Sequence, residues 1–173
     1  GLGQRSRCRN LLGRLGCGCM THVRKQIRDQ MAQNLVGLTT TGSRVFDSRL
    51  FNFANAQLPA LAIYSKTETS ERDTMGTLQG LTRTLTVQVE GYAAAPVSGQ
   101  LSQDMENVLD KICEECETAL ASDPTVSGLA IDSFISATEI DYQGQDAEVS
   151  VGTVVMDWSV TYRTNTTAPG TAL

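Results

Sequence analysis

Between positions 100 and 120 the apolar side chains Leu101, Met105, Val108, Leu109, Ile112, Cys113, Cys116 and Leu120 recur at offsets of three and four. That spacing draws one apolar stripe along a helix. The opposite face carries Asp104, Glu106, Asp110, Glu114, Glu115 and Glu117 against Lys111 alone, so it belongs in water while the stripe must be covered. The segments on either side alternate with the period of two that marks strands. A helix with one dry stripe and strands with one dry face restrict the chain to a helix-on-sheet domain.

The remaining elements follow in order. Behind Thr21 as N-cap, Val23, Ile27, Met31, Leu35 and Leu38 keep helical spacing until Gly37, where a stop is expected. The other face of this first helix holds His22, Arg24, Lys25, Arg28 and Asp29, a basic surface that suits an acidic partner. Residues 44–51 alternate as a half-buried strand, with Phe46 and Leu50 on one side and Asp47 and Arg49 on the other. Pro59 opens the nearly all-apolar run 60–64, which reads as a central strand. In 81–92, Leu81, Leu85, Val87 and Val89 oppose Thr82, Thr84, Thr86, Gln88 and Glu90. Residues 129–142 form a bent strand, with Ile131 and Ile135 in one parity and Phe134, Ile140 and Tyr142 in the other. The last strand buries Val154, Met156, Trp158, Val160 and Tyr162, with Trp158 as a core anchor. The order is α-β-β-β-α-β-β: a single α+β domain, mainly antiparallel, its sheet covered on one face by two helices.

Three segments stand outside that pattern. Residues 65–80 contain only Met75 and Leu78 as large apolar side chains and read as a long loop that orders against a neighbour, a length that compact domains reserve for function. The polar tail 164–173 is expected to be flexible. Residues 1–19 have neither period and hold Arg5, Arg7, Arg9 and Arg14 without an acid, so they read as an addition upstream of a domain spanning 20–163 that starts at Met20.

Charge and motif content narrow the function. The 154 residues after the leader hold 10 basic and 19 acidic side chains, a body too acidic to grip phosphate non-specifically. No run is apolar enough for a membrane helix. The sequence has no GxSxG elbow, Walker loop or GxGxxG fingerprint, and its one histidine, His22, lies at a helix start. Cys113 and Cys116 match CxxC, but they lie deep in a helix among acids, which disfavours a thiolate, and both fall on the apolar stripe. Cys17 and Cys19 are too closely spaced to complete a zinc knuckle with them. No catalytic residue, cofactor or metal is assigned, and a structural role is expected.

Three stretches together resemble the tail terminator, or tail completion, family of long-tailed bacteriophages. They are the helix beginning His22-Val23-Arg24-Lys25-Gln26-Ile27-Arg28, the pair formed by 42–49 and 58–64, and the layout of polar loop, long strand, amphipathic helix and closing strands. The resemblance covers about 21–163. It implies a virion protein at the head-proximal end of the tail tube: a homohexameric ring that stops tube polymerisation and offers a surface for head joining. The implied partners are its own copies, the tail tube protein and a head–tail connector or neck protein, with genomic DNA passing through unbound and no membrane. Interface residues are expected at Arg24 and Arg28, at Arg44, Asp47 and Arg49, and at Lys66, Glu68, Glu71, Arg72 and Asp73. Another neck or minor tail protein is the next reading. A small enzyme, which would need a convergent polar pocket on the sheet, is the third.

Overall fold

A computed structural model describes residues 21–47, 57–73, 79–96, 101–143 and 149–173. The leader, and the expected strand beyond Asp47 with Leu50 and Arg49, lie outside the described residues. The elements are α1 (Val23–Asn34), β1 (Val45–Phe46), β2 (Ala60–Arg72), β3 (Gly80–Pro96), α2 (Leu101–Ala121), β4 (Asp132–Gln143), β5 (Val149–Asn165) and β6 (Ala168–Ala172). The strands form one sheet in the order β1-β2-β3-β5-β4, with β6 added to β5. Every pairing is antiparallel except that of β1 with β2. At the centre β3 and β5 run against each other from Gly80 opposite Asn165 to Pro96 opposite Val149.

Both helices lie on one face. The α2 stripe of Met105, Leu109, Ile112, Cys116 and Leu120 meets Val154, Met156, Trp158, Val160 and Tyr162 of β5 in one buried cluster, to which α1 adds Val23, Ile27, Met31 and Leu35. Two glycines let α2 come close to the sheet. A Cβ on Gly91 would stand 2.7 Å from the Ile112 side chain, and one on Gly152 would stand 2.6 Å from Met105 Sδ. At these two places the strand backbone itself is the packing surface.

The sequence reading of α2, of the β3 dry face and of all five buried β5 residues agrees with this arrangement. Six expectations need correction. The α1 cap is His22, whose Nδ1 accepts the Arg24 N–H at 3.1 Å, so Thr21 lies one residue too early. Gly37, at φ +97°, does mark the stop. β1 is only two residues long, pairs parallel with Leu61 and Ala62, and gives way to a bend at Asp47. The run 60–64 is therefore one strand away from the centre, which belongs to β3.

Residues 65–72 are strand and not loop. Their Thr, Ser and Glu side chains hide the apolar alternation that marks a strand, but β-branched threonines pair well across a sheet, here as Thr67 with Thr86 and Thr69 with Thr84. A bulge at Lys66 also flips the parity of everything after it. The tail is ordered too. β6 pairs with Thr164 and Asn165 of β5, Leu173 N–H donates to the Arg163 carbonyl at 3.0 Å, and Gln26 Nε2 donates to the Gly170 carbonyl at 2.9 Å. The bend expected in 129–142 is a second bulge, at Ser136, which leaves Phe134 on the helix-free face and turns Ile140 and Tyr142 to the helix face.

Candidate functional site

The most densely built polar group lies where α1 begins over the sheet. The bulge at Lys66 turns Glu68 to the helix face, where it meets Arg83 of β3 and Tyr162 of β5. Arg83 Nη1 lies 2.7 Å from Glu68 Oε1, both side chains being nearly buried, and the Tyr162 hydroxyl donates to Glu68 Oε2 at 2.7 Å. Arg83 Nε donates to Thr164 Oγ1 at 3.0 Å, and Arg24 approaches Glu68 Oε2 to 3.7 Å. Burial raises the Glu68 carboxyl, but the hydrogen bonds from Tyr162 and Arg83 and the charge of Arg24 outweigh it and hold the group below its ordinary range. Burial and the Glu68 contact push the Tyr162 phenol up, and burial, then Arg24, holds the His22 imidazole down. With two cations on one carboxylate, the group ties α1, β2, β3 and β5 together.

The basic face of α1 is largely neutralised within the molecule. Arg24 pairs with Glu68, while Lys25 and Arg28 both reach Asp29. Arg44 is also committed: its Nε donates to the Pro59 carbonyl at 2.6 Å, which fastens β1 to the start of β2. Asp47 is exposed beside a shallow cleft with Val36 and Val45. Lys66 reaches over the helix-free face to Asp157 Oδ2 at 2.9 Å, and Asp73 pairs with Arg163 at 2.9 Å. Glu71 and Arg72 are exposed near the end of β2. The structure thus brings Arg24 to Glu68 and spreads the other expected interface residues along the β1–β2 side; Arg49 lies outside the described residues. Arg83 and Tyr162 were not expected as a pair around Glu68. A signal was present: Arg83 shares the parity of Leu81, Leu85 and Val87, and a cation on a dry face needs a buried counter-charge.

The sheet has two edges of unlike chemistry. Beyond Ala62 the outer side of β2 meets no strand among the described residues, and Lys66, Thr67, Thr69, Ser70, Glu71 and Arg72 along it are exposed. β4, which closes the other side, leaves Phe134 53%, Ile140 45% and Tyr142 43% exposed, and Ile131 just before it 51%. Among the described residues, four of the six large apolar side chains that stand in solvent are therefore on this one edge. Exposed apolar patches of this kind mark interaction sites.

Among the described residues no group of three or more His, Cys, Asp or Glu side chains could hold a metal ion. Burial and the neighbouring acids Glu117 and Asp110 push the Cys113 thiol up to about 11, and burial pushes that of Cys116 up to about 12. Both are core sulfurs without thiolate character. No helix of the described residues is long and apolar enough to cross a membrane.

Fold and surface together define an α+β protein with a one-sided helical layer and two sheet edges that meet no further strand among the described residues. No protein-family model matches the chain, and no curated protein matches it. Among solved structures, a chain of the virion of the native gene transfer agent (GTA) particle is similar over 83% of this chain and 94% of its own length, at 13% identity and a TM-score of 0.31. A likeness so slight is one of outline.

Proposed function

We propose that the protein is a structural component of a phage-like virion, which forms a homohexameric ring on the head-proximal end of the tail tube, ends tube polymerisation and receives the head. The observation that carries this reading is the pair of unlike sheet edges. A terminator has two kinds of neighbour, its own copies and other virion proteins, and the two edges offer surfaces of different chemistry for them. The charged edge along β2, with Lys66, Glu71 and Arg72, suits contact between copies: it keeps the free subunit soluble, and charge pairs fix register when copies meet. A head-to-tail contact between unlike surfaces closes into a ring when its rotation divides a full turn. The apolar edge along β4 is left for the tail tube protein or the connector. An acidic body suits a ring through which DNA passes, because repulsion keeps phosphate from sticking.

Native mass spectra of the full chain and of a Met20-start chain, recorded over rising concentration with and without purified tail tube protein, test the reading. A hexamer, alone or with tube, supports it. A monomer under every condition overturns the ring.

A further inference from the structure

The side of α2 that faces β4 differs from its other side. At about 100° per residue, Glu106, Asp110 and Glu117 share a flank with Cys113, while Lys111 and Glu115 fall on the opposite flank. The neighbours agree. Tyr142 of β4 lies near Glu106 and Asp110, whose charges, after burial, push its phenol up, whereas Glu115 accepts the Thr40 N–H at 3.0 Å on the far side. All three carboxylates of the β4 flank are exposed, and none forms an ion pair among the described residues. α2 presses onto Gly152, which is paired with Tyr142, so the acidic flank of the helix borders β4 there. Ile140 and Tyr142 share the helix face of β4, and Glu106 and Asp110 form an acidic wall beside Tyr142 that Glu117 continues about two turns further along the helix. On the other face of the same strand stand Glu139 and Asp141, and β4 contains no Lys or Arg.

We infer that the edge of β4 takes an added strand from another protein, an extended segment with Arg or Lys at alternate positions. Three features select that occupant. The outer backbone of β4 meets no strand among the described residues, so it can pair with an extended chain. Ile140 and Tyr142 have apolar surface that the stems of long basic side chains can cover, and a guanidinium can stack on the Tyr142 ring. The charged heads of those side chains, which share one face of the added strand, then reach the α2 wall, which no acidic or neutral strand would satisfy. Nucleic acid is repelled by the same carboxylates. The inference rests on the proposed virion role only in taking the partner to be another virion protein; the groove itself does not require a ring.

The test uses the full chain and two soluble peptides, one alternating arginine with threonine and one alternating glutamate with threonine. Amide exchange is followed along 137–143. The arginine peptide is expected to slow exchange there at least tenfold and the glutamate peptide to leave it unchanged. The triple variant Glu106→Gln, Asp110→Gln, Glu117→Gln, altered only at exposed positions, is expected to bind the arginine peptide about tenfold more weakly, whereas Glu114→Gln on the solvent face leaves binding as it was. Binding without protection of β4, or equal binding by the triple variant, would overturn the inference. A hexamer in native mass spectra together with an unprotected β4 defeats the groove and keeps the ring; a protected β4 in a chain that stays monomeric does the reverse.

Discussion

β2 and β4 border the same sheet and each is broken by a bulge, yet they treat solvent in opposite ways. The bulges lie at one level of the sheet and converge on one residue: Lys66 Nζ pairs with the Asp157 carboxylate, and Ser136 Oγ donates to the Asp157 carbonyl at 2.9 Å. Backbone geometry is therefore not what separates the edges. On β2 the bulge turns one charge inward, to Glu68, and leaves charged and hydroxyl side chains outside, the usual protection against indiscriminate pairing. On β4 the bulge leaves Phe134, Ile140 and Tyr142 in water. An edge that keeps apolar surface in spite of that hazard is the one that the proposed basic strand would cover.

The comparison can be broken at several points. The largest effect is expected from Leu109→Ala, which removes a fully buried side chain beneath the α2 wall and touches neither edge. Urea denaturation should show a loss of about 2–5 kcal/mol. Native-state exchange should quicken in β4 before β2, and equal quickening in both would show that the edges are not independent. Next comes Glu68→Gln, which leaves Arg83 nearly buried beside a neutral partner; a loss of about 1–3 kcal/mol is expected. Adding Arg83→Met to Glu68→Gln should recover part of that loss. Strictly additive losses in the two would remove the ion pair as the anchor of β2.

Acid should act on the β2 side as well. Folding lowers the pKa of both Glu68 and His22, so in acid the unfolded chain binds more protons and stability rises with pH. The His22 contribution is complete above about pH 6.5 and declines below it, as protonated Nδ1 can no longer accept the Arg24 N–H. That of Glu68 is complete above its unfolded pKa near 4.3 and is lost as pH falls through the lower folded value. Urea midpoints from pH 7 to 3 should therefore fall less steeply below about pH 5 in Glu68→Gln than in the parent; parallel curves would refute the assignment. The smallest effect on stability, within about 0.5 kcal/mol, is expected from Phe134→Thr, because the ring is half in solvent. Its effect on association should exceed that on stability: sedimentation with purified tail tube protein should show weaker binding than in the parent, while Lys66→Thr on β2 should weaken self-association and leave that binding unchanged.

The sequence made the centre legible and the margins not. Where a strand is buried on one face by a helix, as β5 is from Val154 to Tyr162, period-two alternation maps directly onto burial. The same holds for the α2 stripe. It fails where pairing replaces burial as the source of order. The outer half of β2 is held by its ladder to β3 and by the Glu68 group, and neither leaves an apolar pattern in 65–72. β6 depends on β5 and α1, partners remote in sequence. Each bulge inserts one residue that inverts parity, which is why Ile135 and Ile140 share a face although their numbers differ by five. Of the surface, Phe134 shares its parity by number with Ile140 and Tyr142, but the bulge puts it on the opposite face, and nothing local marked β4 as an edge strand.

Gln26 and Gly170, joined by a hydrogen bond, are separated by 144 positions in the chain, and the central strand β3 waits for β5, 53 to 85 positions later, to pair its second side. Little of this sheet can close before β5 has been made, because β5 completes its middle. A copy broken off before β5 would have β3 paired on one side only and nothing to hold β4 in the sheet. Completion of β5 is thereby a condition for presenting the β4 edge at all.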